Sequence, residues 1–289
     1  AIISTSGDAR LMIELCRKKI HVRRYFNVTL LFTDKFLLLI ATFHIAKHST
    51  ADARTYHLLR CAKQMASLSE VISIWKNAEA VTFDVDSTVT QEEGIDELAK
   101  FCGKENAVAA LTNRAMRGDV TFRESLVERL NIIKPSHSQV KQFLDTHPVK
   151  LSPGIKTLIT ALRTQKKHIF LISGGFRSLI EPVATSLHVP SENVFANRLK
   201  FYFTGEYAGF DESQPTTENG GKVKVIERLK KEKGFKTVIH IGDGATDLET
   251  ASVADLFIGY GGNVIRETVK LQSSWFVTDF NELVDCLKM

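Results

Sequence analysis

The chain has 289 residues, of which 44% are hydrophobic and 25% are charged. A chain of this size can bury one sizeable core, or a core with a small companion domain, without disulfide staples, so a globular enzyme is expected. The net charge of +5 comes from one end, because residues 1–64 hold 11 Lys/Arg and 4 Asp/Glu, whereas residues 65–289 hold 27 and 29. The body of the protein is therefore not basic, and no nucleic-acid partner is expected.

Residues 1–64 are expected to form a disordered N-terminal extension. Their only long apolar stretch, residues 36–46, is too short for a bilayer span of about 20 residues, so no membrane association is expected. Two interpretations stay open. The extension is either an organelle-targeting or signal segment, or a mispredicted addition for which Met65 provides the natural start.

The cysteines indicate the redox compartment. They are far apart in the sequence, form no C-x-x-C pair and have no neighbouring histidine at metal-ligand spacing. Free thiols in a reducing compartment are predicted, which favours the cytoplasm, with an organelle as the alternative if residues 1–64 are a transit segment. The four residues are Cys16, Cys61, Cys102 and Cys286.

From residue 80 onward, short apolar runs alternate with amphipathic stretches, which is the pattern of a parallel sheet flanked by helices. An α/β fold with a Rossmann-like core is predicted. The predicted buried strands are 80–83, 169–172, 238–241 and 256–258. The predicted helices, from the spacing of their apolar positions, are 155–162, 177–187, 223–231 and 265–271.

Residues 95–149 interrupt this alternation, because they carry several helix signals and no strand signal. Two of the signals are capping boxes, Thr121 with Glu124 and Ser136 with Gln139. An inserted helical-bundle cap is predicted here, and the catalytic core would consist of residues 65–94 and 150–289.

A second insertion is predicted as a small β-hairpin. Its strands would be residues 198–203 and 206–210, with Thr204 and Gly205 as the turn. Both insertions would lie over the C-terminal edge of the sheet, where open α/β sheets bind their ligands.

The first predicted strand ends in Asp84-Val85-Asp86-Ser87-Thr88, which places two carboxylates two residues apart. Phosphoryl transfer from a monoester needs an in-line nucleophile, a proton donor for the leaving oxygen and a cation. Asp84 fits the nucleophile and a metal ligand, and Asp86 fits the general acid and then the base for water. The alternative is a solvated turn rich in aspartate.

Two further segments fit a phosphate group. In Ser173-Gly174-Gly175, between a predicted strand and a predicted helix, glycines allow close approach of the backbone, and the hydroxyl and the helix terminus add donors. Lys222 follows two glycines and opens a helical stretch, so it would place a fixed positive charge near the phosphate and Asp84. The alternatives are an ordinary strand-to-helix turn and a solvated lysine.

The segment 242–247, Gly-Asp-Gly-Ala-Thr-Asp, follows another predicted strand. Two acids in a glycine-rich turn suit a hard cation with oxygen ligands, such as Mg²⁺. A glycine-rich turn with a helix cap is the alternative. Taken together, the four segments occur in an order that one sheet edge can assemble, and their conjunction predicts phosphoryl-transfer chemistry.

With these motifs, residues 65–289 resemble the haloacid dehalogenase superfamily, and within it the phosphoserine phosphatases of the animal type. The resemblance implies Mg²⁺-dependent hydrolysis of O-phosphoserine to serine and phosphate through an aspartyl-phosphate. This reaction is the last step of serine biosynthesis, and a homodimer is implied. The segments that carry the resemblance are 84–88, 92–99, 173–178, 194–211 and 242–247.

The resemblance also implies the roles of the core residues. Mg²⁺ would be held by Asp84, the main-chain carbonyl of Asp86 and Asp243, and Asp247 would orient the metal shell. The residues implied to bind the phosphate end of the substrate are Ser173, Gly174, Gly175, Lys222 and Thr246.

The cap would select the substrate. The resemblance places Glu93 opposite the ammonium of O-phosphoserine and Arg129 on its carboxylate, where a guanidinium donates two parallel hydrogen bonds. The alternative for Arg129 is an exposed helix charge paired with Glu128 or Glu124.

Met116 would line the same pocket. The family usually has glycine after this methionine, whereas this chain has Arg117. A main-chain contact at this position survives the change if the backbone angles allow it, so the departure bears on affinity or on cap closure.

Overall fold

The computed structural model describes residues 68–116 and 121–288, with the side chains of residues 112–116 left out. The predictions for residues 1–64 and for Arg117 therefore lie outside the described residues. Within the described ranges, no helix is long and apolar enough to cross a membrane.

Six parallel strands form the central sheet in the order β3-β2-β1-β6-β7-β8. Three of them, β1, β6 and β7, are buried along their whole length, as expected for parallel strands covered on both faces. The predicted α/β fold is confirmed. The strands are β1 Ala80–Phe83, β2 His168–Phe176, β3 Val194–Asn197, β6 Val238–Gly242, β7 Leu256–Tyr260 and β8 Trp275–Val277, with β4 Leu199–Phe201 and β5 Tyr207–Phe210 in a separate antiparallel pair.

Amphipathic helices cover the sheet. The helix at Ile155–Thr164 is an example, because one of its faces is apolar and is buried in the main core. The apolar residues of this face are Ile155, Leu158, Ile159 and Leu162. The helices are α1 (residues 68–76), α2 Gly94–Phe101, α3 Glu105–Met116, α4 Phe122–Ile133, α5 His137–Thr146, α6 Ile155–Thr164, α7 Arg177–Ser186, α8 Gly221–Lys233, α9 Ala245–Leu248, α10 Glu267–Gln272 and α11 Phe280–Lys288.

Helices α2 to α5 lie between β1 and β2 in the chain and are called the cap below. They share a hydrophobic cluster, which includes Leu98, Leu126, Leu130 and Phe143 and also Phe176 of β2 and Phe210 of β5. Both predicted capping boxes are present, at the starts of α4 and α5. An unpaired backbone N–H at a helix start is satisfied in this way, which fixes where each helix begins.

The four helices predicted outside the cap are located to within two residues at each end, whereas α1, α9 and α11 were not predicted and parts of the strands were misplaced. The predicted strand 169–172 extends to Phe176, so Ser173, Gly174 and Gly175 belong to the end of β2 and not to a turn after it. The short strands β3 and β8 were not among the predicted strands.

The two-residue hairpin turn is also wrong. β4 ends at Phe201 and β5 begins at Tyr207, so five residues connect them. The Tyr202 N–H donates to the Glu206 carbonyl at 2.9 Å, and Gly205 has a φ of 89°. Gly205 adopts the left-handed backbone conformation that favours glycine in a turn. The hydrogen bond between Tyr202 and Glu206 closes a loop that is longer than predicted.

Candidate active site

Lys222 holds two carboxylates together at the C-terminal edge of the sheet. Its Nζ lies 2.6 Å from Asp84 Oδ1 and 2.6 Å from Asp247 Oδ1. Asp84 directly follows β1, Asp247 lies in the helix after β6, and Lys222 lies in the first turn of α8. All three side chains are buried, so the charges interact in a medium with little screening.

The pKa values of this group follow from burial and from the neighbouring charges. Burial lowers the pKa of the Lys222 ammonium, but the carboxylates of Asp247 and Asp84 outweigh this effect and raise it. Burial raises the pKa of Asp247, but Lys222 and His240 lower it by more, so this carboxyl is ionised. Lys222 therefore remains a cation at every pH at which the fold is expected to be intact.

His240 supports the same carboxylate from inside the sheet. Its Nε2 lies 2.7 Å from Asp247 Oδ1, and its Nδ1 lies 2.7 Å from Thr82 Oγ1. The second oxygen of Asp247 accepts the Gly244 N–H at 2.9 Å. Both oxygens of Asp247 are thus engaged by protein groups.

Asp243 forms a second acidic position at the end of β6. Its Oδ1 accepts the Thr88 hydroxyl at 2.8 Å, and its Oδ2 accepts Arg266 Nε at 3.0 Å. Carboxylate oxygens of Asp84, Asp243 and Asp247 lie within 4.8 Å of one another and could hold a metal ion. Burial and mutual repulsion raise the pKa of Asp84 and of Asp243. An added cation would relieve this repulsion, so the donor set fits a hard divalent metal.

The side chain of Asp86 contacts the start of α2 and the C-terminal part of β2. Its Oδ1 accepts the Gly94 N–H at 2.8 Å, and its Oδ2 accepts the Ser173 hydroxyl at 2.9 Å. The Ser173 oxygen in turn accepts the Gly175 N–H at 2.7 Å. A side chain at position 175 would collide with this pair, because a Cβ there would lie 2.8 Å from Asp86 Oδ2.

The loop between the two aspartates and the cap is held in a strained shape. Ser87 is buried and has a φ of 55°, which non-glycine residues rarely adopt. Asn263 Nδ2 donates to the carbonyls of Ser87 and Thr90 at 2.9 and 3.1 Å, and the Ser87 hydroxyl donates to Glu93 Oε1 at 2.7 Å. These contacts fix the direction in which Asp86 and Glu93 leave the loop.

Glu93 is the charged residue at the entrance of the cap. Burial and the nearby Asp86 carboxylate raise its pKa to about 7, although the Ser87 hydroxyl opposes the rise. The guanidinium of Arg266 lies 3.7 Å away from it. Glu93 therefore changes charge near neutral pH.

The remaining predicted substrate residues lie on the cap and beside the cluster of Asp84, Asp243 and Asp247. Arg129 is partly buried in α4, its Nε donates to the Ser125 carbonyl at 3.2 Å, and burial lowers its pKa. The carboxylates of Asp96, Glu93 and Asp86 oppose that shift, which places Arg129 on the acidic side of the cap. Glu124, one partner considered for Arg129, accepts instead from Thr121 in the capping box.

The last two predicted substrate residues are Met116 and Thr246. Met116 is the last residue of α3, and its side chain lies outside the described part of the structure. Thr246 lies in α9, one residue before Asp247, and is partly exposed beside the cluster.

The N-terminus of α4 rests directly on the core. Arg123 donates to Glu212 Oε2, to the Glu212 carbonyl, to Thr217 Oγ1 and to Glu218 Oε1, at 3.0 to 3.2 Å. Phe122 packs against Gly174, where an added Cβ would lie 2.5 Å from the Phe122 ring. The cap and the segment of β2 that was predicted to bind phosphate are therefore in contact.

Comparison with known proteins identifies the family. A model of the haloacid dehalogenase-like hydrolases matches residues 78–255. The phosphoserine phosphatase of Bos taurus is 57% identical over 224 residues, which cover 78% of this chain and 100% of that protein. The chain belongs to the phosphoserine phosphatase family. The resemblance predicted from the sequence is confirmed.

Other members of the phosphoserine phosphatase family extend the match. The Arabidopsis thaliana protein named "Phosphoserine phosphatase, chloroplastic" is 50% identical over 220 residues, 75% of each chain. A solved structure described as a phospho-aspartyl intermediate analogue of phosphoserine phosphatase is 25% identical, with a TM-score of 0.63, and the match covers 72% of this chain and 98% of that one.

Three side chains of this family member were not among the predicted site residues. Thr88 stood within the quoted aspartate motif without a role, and it bonds Asp243. His240 was visible as a polar residue inside an apolar strand, which is a usable signal. Arg266 lies in a loop after β7, and nothing local in the sequence points to Asp243.

Proposed function

We propose that this protein hydrolyses O-phosphoserine to serine and phosphate through a phosphoryl group on Asp84. The observation that carries the proposal is the buried Lys222 ammonium 2.6 Å from Asp84, with Asp243 beside them. A site that only bound phosphate would gain nothing from a buried carboxylate that repels the ligand. Family membership supports the same chemistry.

Two carboxylates divide the reaction. Asp84 Oδ attacks phosphorus, and the bond from phosphorus to the seryl oxygen breaks. The Asp86 carboxyl gives its proton to that oxygen, and the resulting carboxylate then takes a proton from the water that hydrolyses the aspartyl-phosphate. Hydrogen bonds from Gly94 and Ser173 keep Asp86 beside the loop during both transfers.

Mg²⁺ is the proposed cofactor. Asp84, the main-chain carbonyl of Asp86 and Asp243 would hold it, and Asp247, whose oxygens accept hydrogen bonds from Lys222, His240 and Gly244, would orient the metal shell. When bound, the ion neutralises charge on the phosphoryl oxygens. Lys222 supplies a second positive charge, and Ser173, Gly174, Gly175 and Thr246 would line the phosphate position.

The cap supplies the substrate specificity in this proposal. Glu93 would face the ammonium of O-phosphoserine and Arg129 its carboxylate, with Met116 at the side of the pocket. The electrostatic interaction between Arg129 and Glu93 supports this placement, because a zwitterionic amino acid needs one acid and one base close together. The cap division at residues 95–149 belongs to the same proposal.

A cytoplasmic homodimer acting in the last step of serine biosynthesis completes the proposal. Cys102 is a free thiol, which supports a reducing compartment. The name of the Arabidopsis thaliana relative supports the organellar alternative.

The test is phosphate release from O-phosphoserine with and without Mg²⁺, in the wild type and in Asp84→Asn. We expect release that requires Mg²⁺ and that is lost in Asp84→Asn, because an amide cannot act as the nucleophile. The matched control is Asp145→Asn, since Asp145 is exposed on the cap. Turnover near the wild-type rate in Asp84→Asn would refute the aspartyl-phosphate.

The substrate is tested separately with a panel of phosphometabolites. O-phosphoserine should give a higher kcat/KM than sugar phosphates and phosphoethanolamine, since these lack one or both of its charged groups. Equal activity on sugar phosphates would keep the chemistry and remove the amino-acid pocket.

A further inference from the structure

His240 is a buried ionisable side chain that the proposed reaction does not use. It lies in the middle of β6 with no exposed surface, and its ring stacks on Phe257 with centroids 6.3 Å apart. The other residues of this buried strand are apolar, so an apolar side chain would be expected at this position. Its two nitrogens nevertheless both have polar partners, Thr82 on one side and Asp247 on the other.

These partners fix where the ring carries its proton. A neutral imidazole has a single N–H, and the groups beside its two nitrogens decide which nitrogen carries it. The ionised Asp247 can only accept, so the hydrogen lies on Nε2. Nδ1 then accepts the Thr82 hydroxyl hydrogen at 2.7 Å, in preference to the Ile239 carbonyl at 3.1 Å from the same hydroxyl.

The Nε2–H bond bears on Lys222 through a shared oxygen. Asp247 Oδ1 accepts from both Lys222 Nζ and His240 Nε2, at 2.6 and 2.7 Å. If His240 did not donate, Lys222 would be the only donor to that oxygen, and the ammonium would be drawn toward Asp247 and away from Asp84. The position of the cation between the two carboxylates thus depends on the imidazole.

We propose that His240 is a positioning residue for the phosphate site, which holds Asp247 through Nε2–H so that Lys222 stays within reach of Asp84 and of a phosphoryl oxygen. This inference rests on the proposed function for the role of Lys222. His240, a residue of the sheet interior that also contacts Thr82, would thereby join the residues that determine where the Lys222 charge lies at the phosphate site.

Two amides of different length separate this role from packing. In His240→Gln the amide nitrogen reaches the place of Nε2 and can donate to Asp247, whereas in His240→Asn it reaches only the place of Nδ1 and Thr82. Both variants lose the same ring contact with Phe257, so each controls for the packing of the other.

The measurements are kcat and KM for O-phosphoserine, the Kd of inorganic phosphate by calorimetry, and the Tm. We expect His240→Gln to keep most of the wild-type kcat/KM. His240→Asn should lose about 10- to 100-fold, the usual range for partners that orient a ligand, and should bind inorganic phosphate more weakly. Equal kcat/KM and equal phosphate Kd in the two variants would overturn the proposal, even if both differ in Tm from the wild type.

A second measurement needs no variant. Long-range ¹⁵N–¹H correlation spectra of the wild type report which nitrogen of His240 is protonated. A proton on Nε2 supports the proposal, and a proton on Nδ1 alone overturns it. If the wild type does not hydrolyse O-phosphoserine, the proposed function fails by itself, while the phosphate Kd of the two amide variants still tests the effect of His240 on the site.

Discussion

The charged groups at the sheet edge and those on the cap differ in how completely the protein surrounds them. At the sheet edge, Lys222, Asp247 and His240 are buried, and Asp247 accepts hydrogen bonds from Lys222 and His240 at 2.6 and 2.7 Å. On the cap, the side chain of Arg123 is 34% exposed and that of Glu93 is 37% exposed. The first set is ordered by the fold itself, before any substrate is present.

This difference separates the chemistry from the selection of the substrate. Buried donors and acceptors pay their desolvation during folding, so they need no rearrangement when phosphate arrives. Partly exposed groups on the cap keep contact with water and can exchange it for the charged ends of a ligand. The sheet edge should therefore determine the reaction, and the cap should determine which phosphomonoester reacts.

The largest expected effect is a loss of stability when Lys222 is replaced. In Lys222→Met, Asp84 and Asp247 would remain as buried carboxylates without their cation, and we expect the free energy of unfolding to fall by about 3–5 kcal/mol. Lys224→Met is the matched control, because the Lys224–Glu218 pair is exposed and should be worth about 0–1 kcal/mol. Urea unfolding of both variants gives the comparison. Similar losses would show that burial does not separate the two lysines.

Arg129→Met should have the next largest effect, and only on the substrate that carries a carboxylate. Removing one partner of a desolvated charge pair costs about 2–5 kcal/mol, here in kcat/KM for O-phosphoserine. Phosphoethanolamine has no carboxylate and should react equally with the variant and the wild type. An equal loss on both substrates would place Arg129 outside the pocket.

Glu93 should make kcat/KM depend on pH, and this dependence should differ between substrates with and without an ammonium group. Because its pKa is raised to about 7, the carboxyl becomes neutral as the pH falls below 7, and attraction for the ammonium is lost. The kcat/KM for O-phosphoserine should therefore decline on the acid side of pH 7 more steeply than for O-phospho-3-hydroxypropionate, which lacks the ammonium. In Glu93→Gln the two pH profiles should coincide. A persistent difference between them would contradict the role of Glu93.

The smallest expected effect concerns Arg123 and the contact between α4 and the core. Arg123→Met removes its four hydrogen bonds, but these are partly exposed, so we expect a loss of about 1 kcal/mol in the opening of this contact. Hydrogen exchange of α4 amides measures it, with Arg228→Met as the control because its pair with Glu232 is exposed on α8. Unchanged exchange in Arg123→Met would mean that Phe122 packing alone holds the helix.

Much of the site could be predicted because its residues stand at strand ends. Parallel strands bring their carboxyl ends to one edge, so Asp84, Ser173 and Asp243 had to be neighbours once the strands were recognised. Both capping boxes were equally local, since each involves residues three apart.

Contacts that depend on how distant segments pack could not be predicted in this way. Arg123 and Glu212 are 89 residues apart, and they meet only because the cap lies on the loop before α8. The contact of Arg266 with Asp243 depends on the course of the loop after β7. His240 is an intermediate case, because its polarity in a buried strand was readable but its two partners were not.

The contact between Phe122 and Gly174 gives the cap a defined height above β2. The end of the ring lies where a side chain at position 174 would begin, because an added Cβ would lie 2.5 Å from Phe122 Cζ. An added methyl group at that glycine would act as a wedge beneath α4. The close seating of α4 on β2 thus depends on the absence of a single carbon atom from the strand.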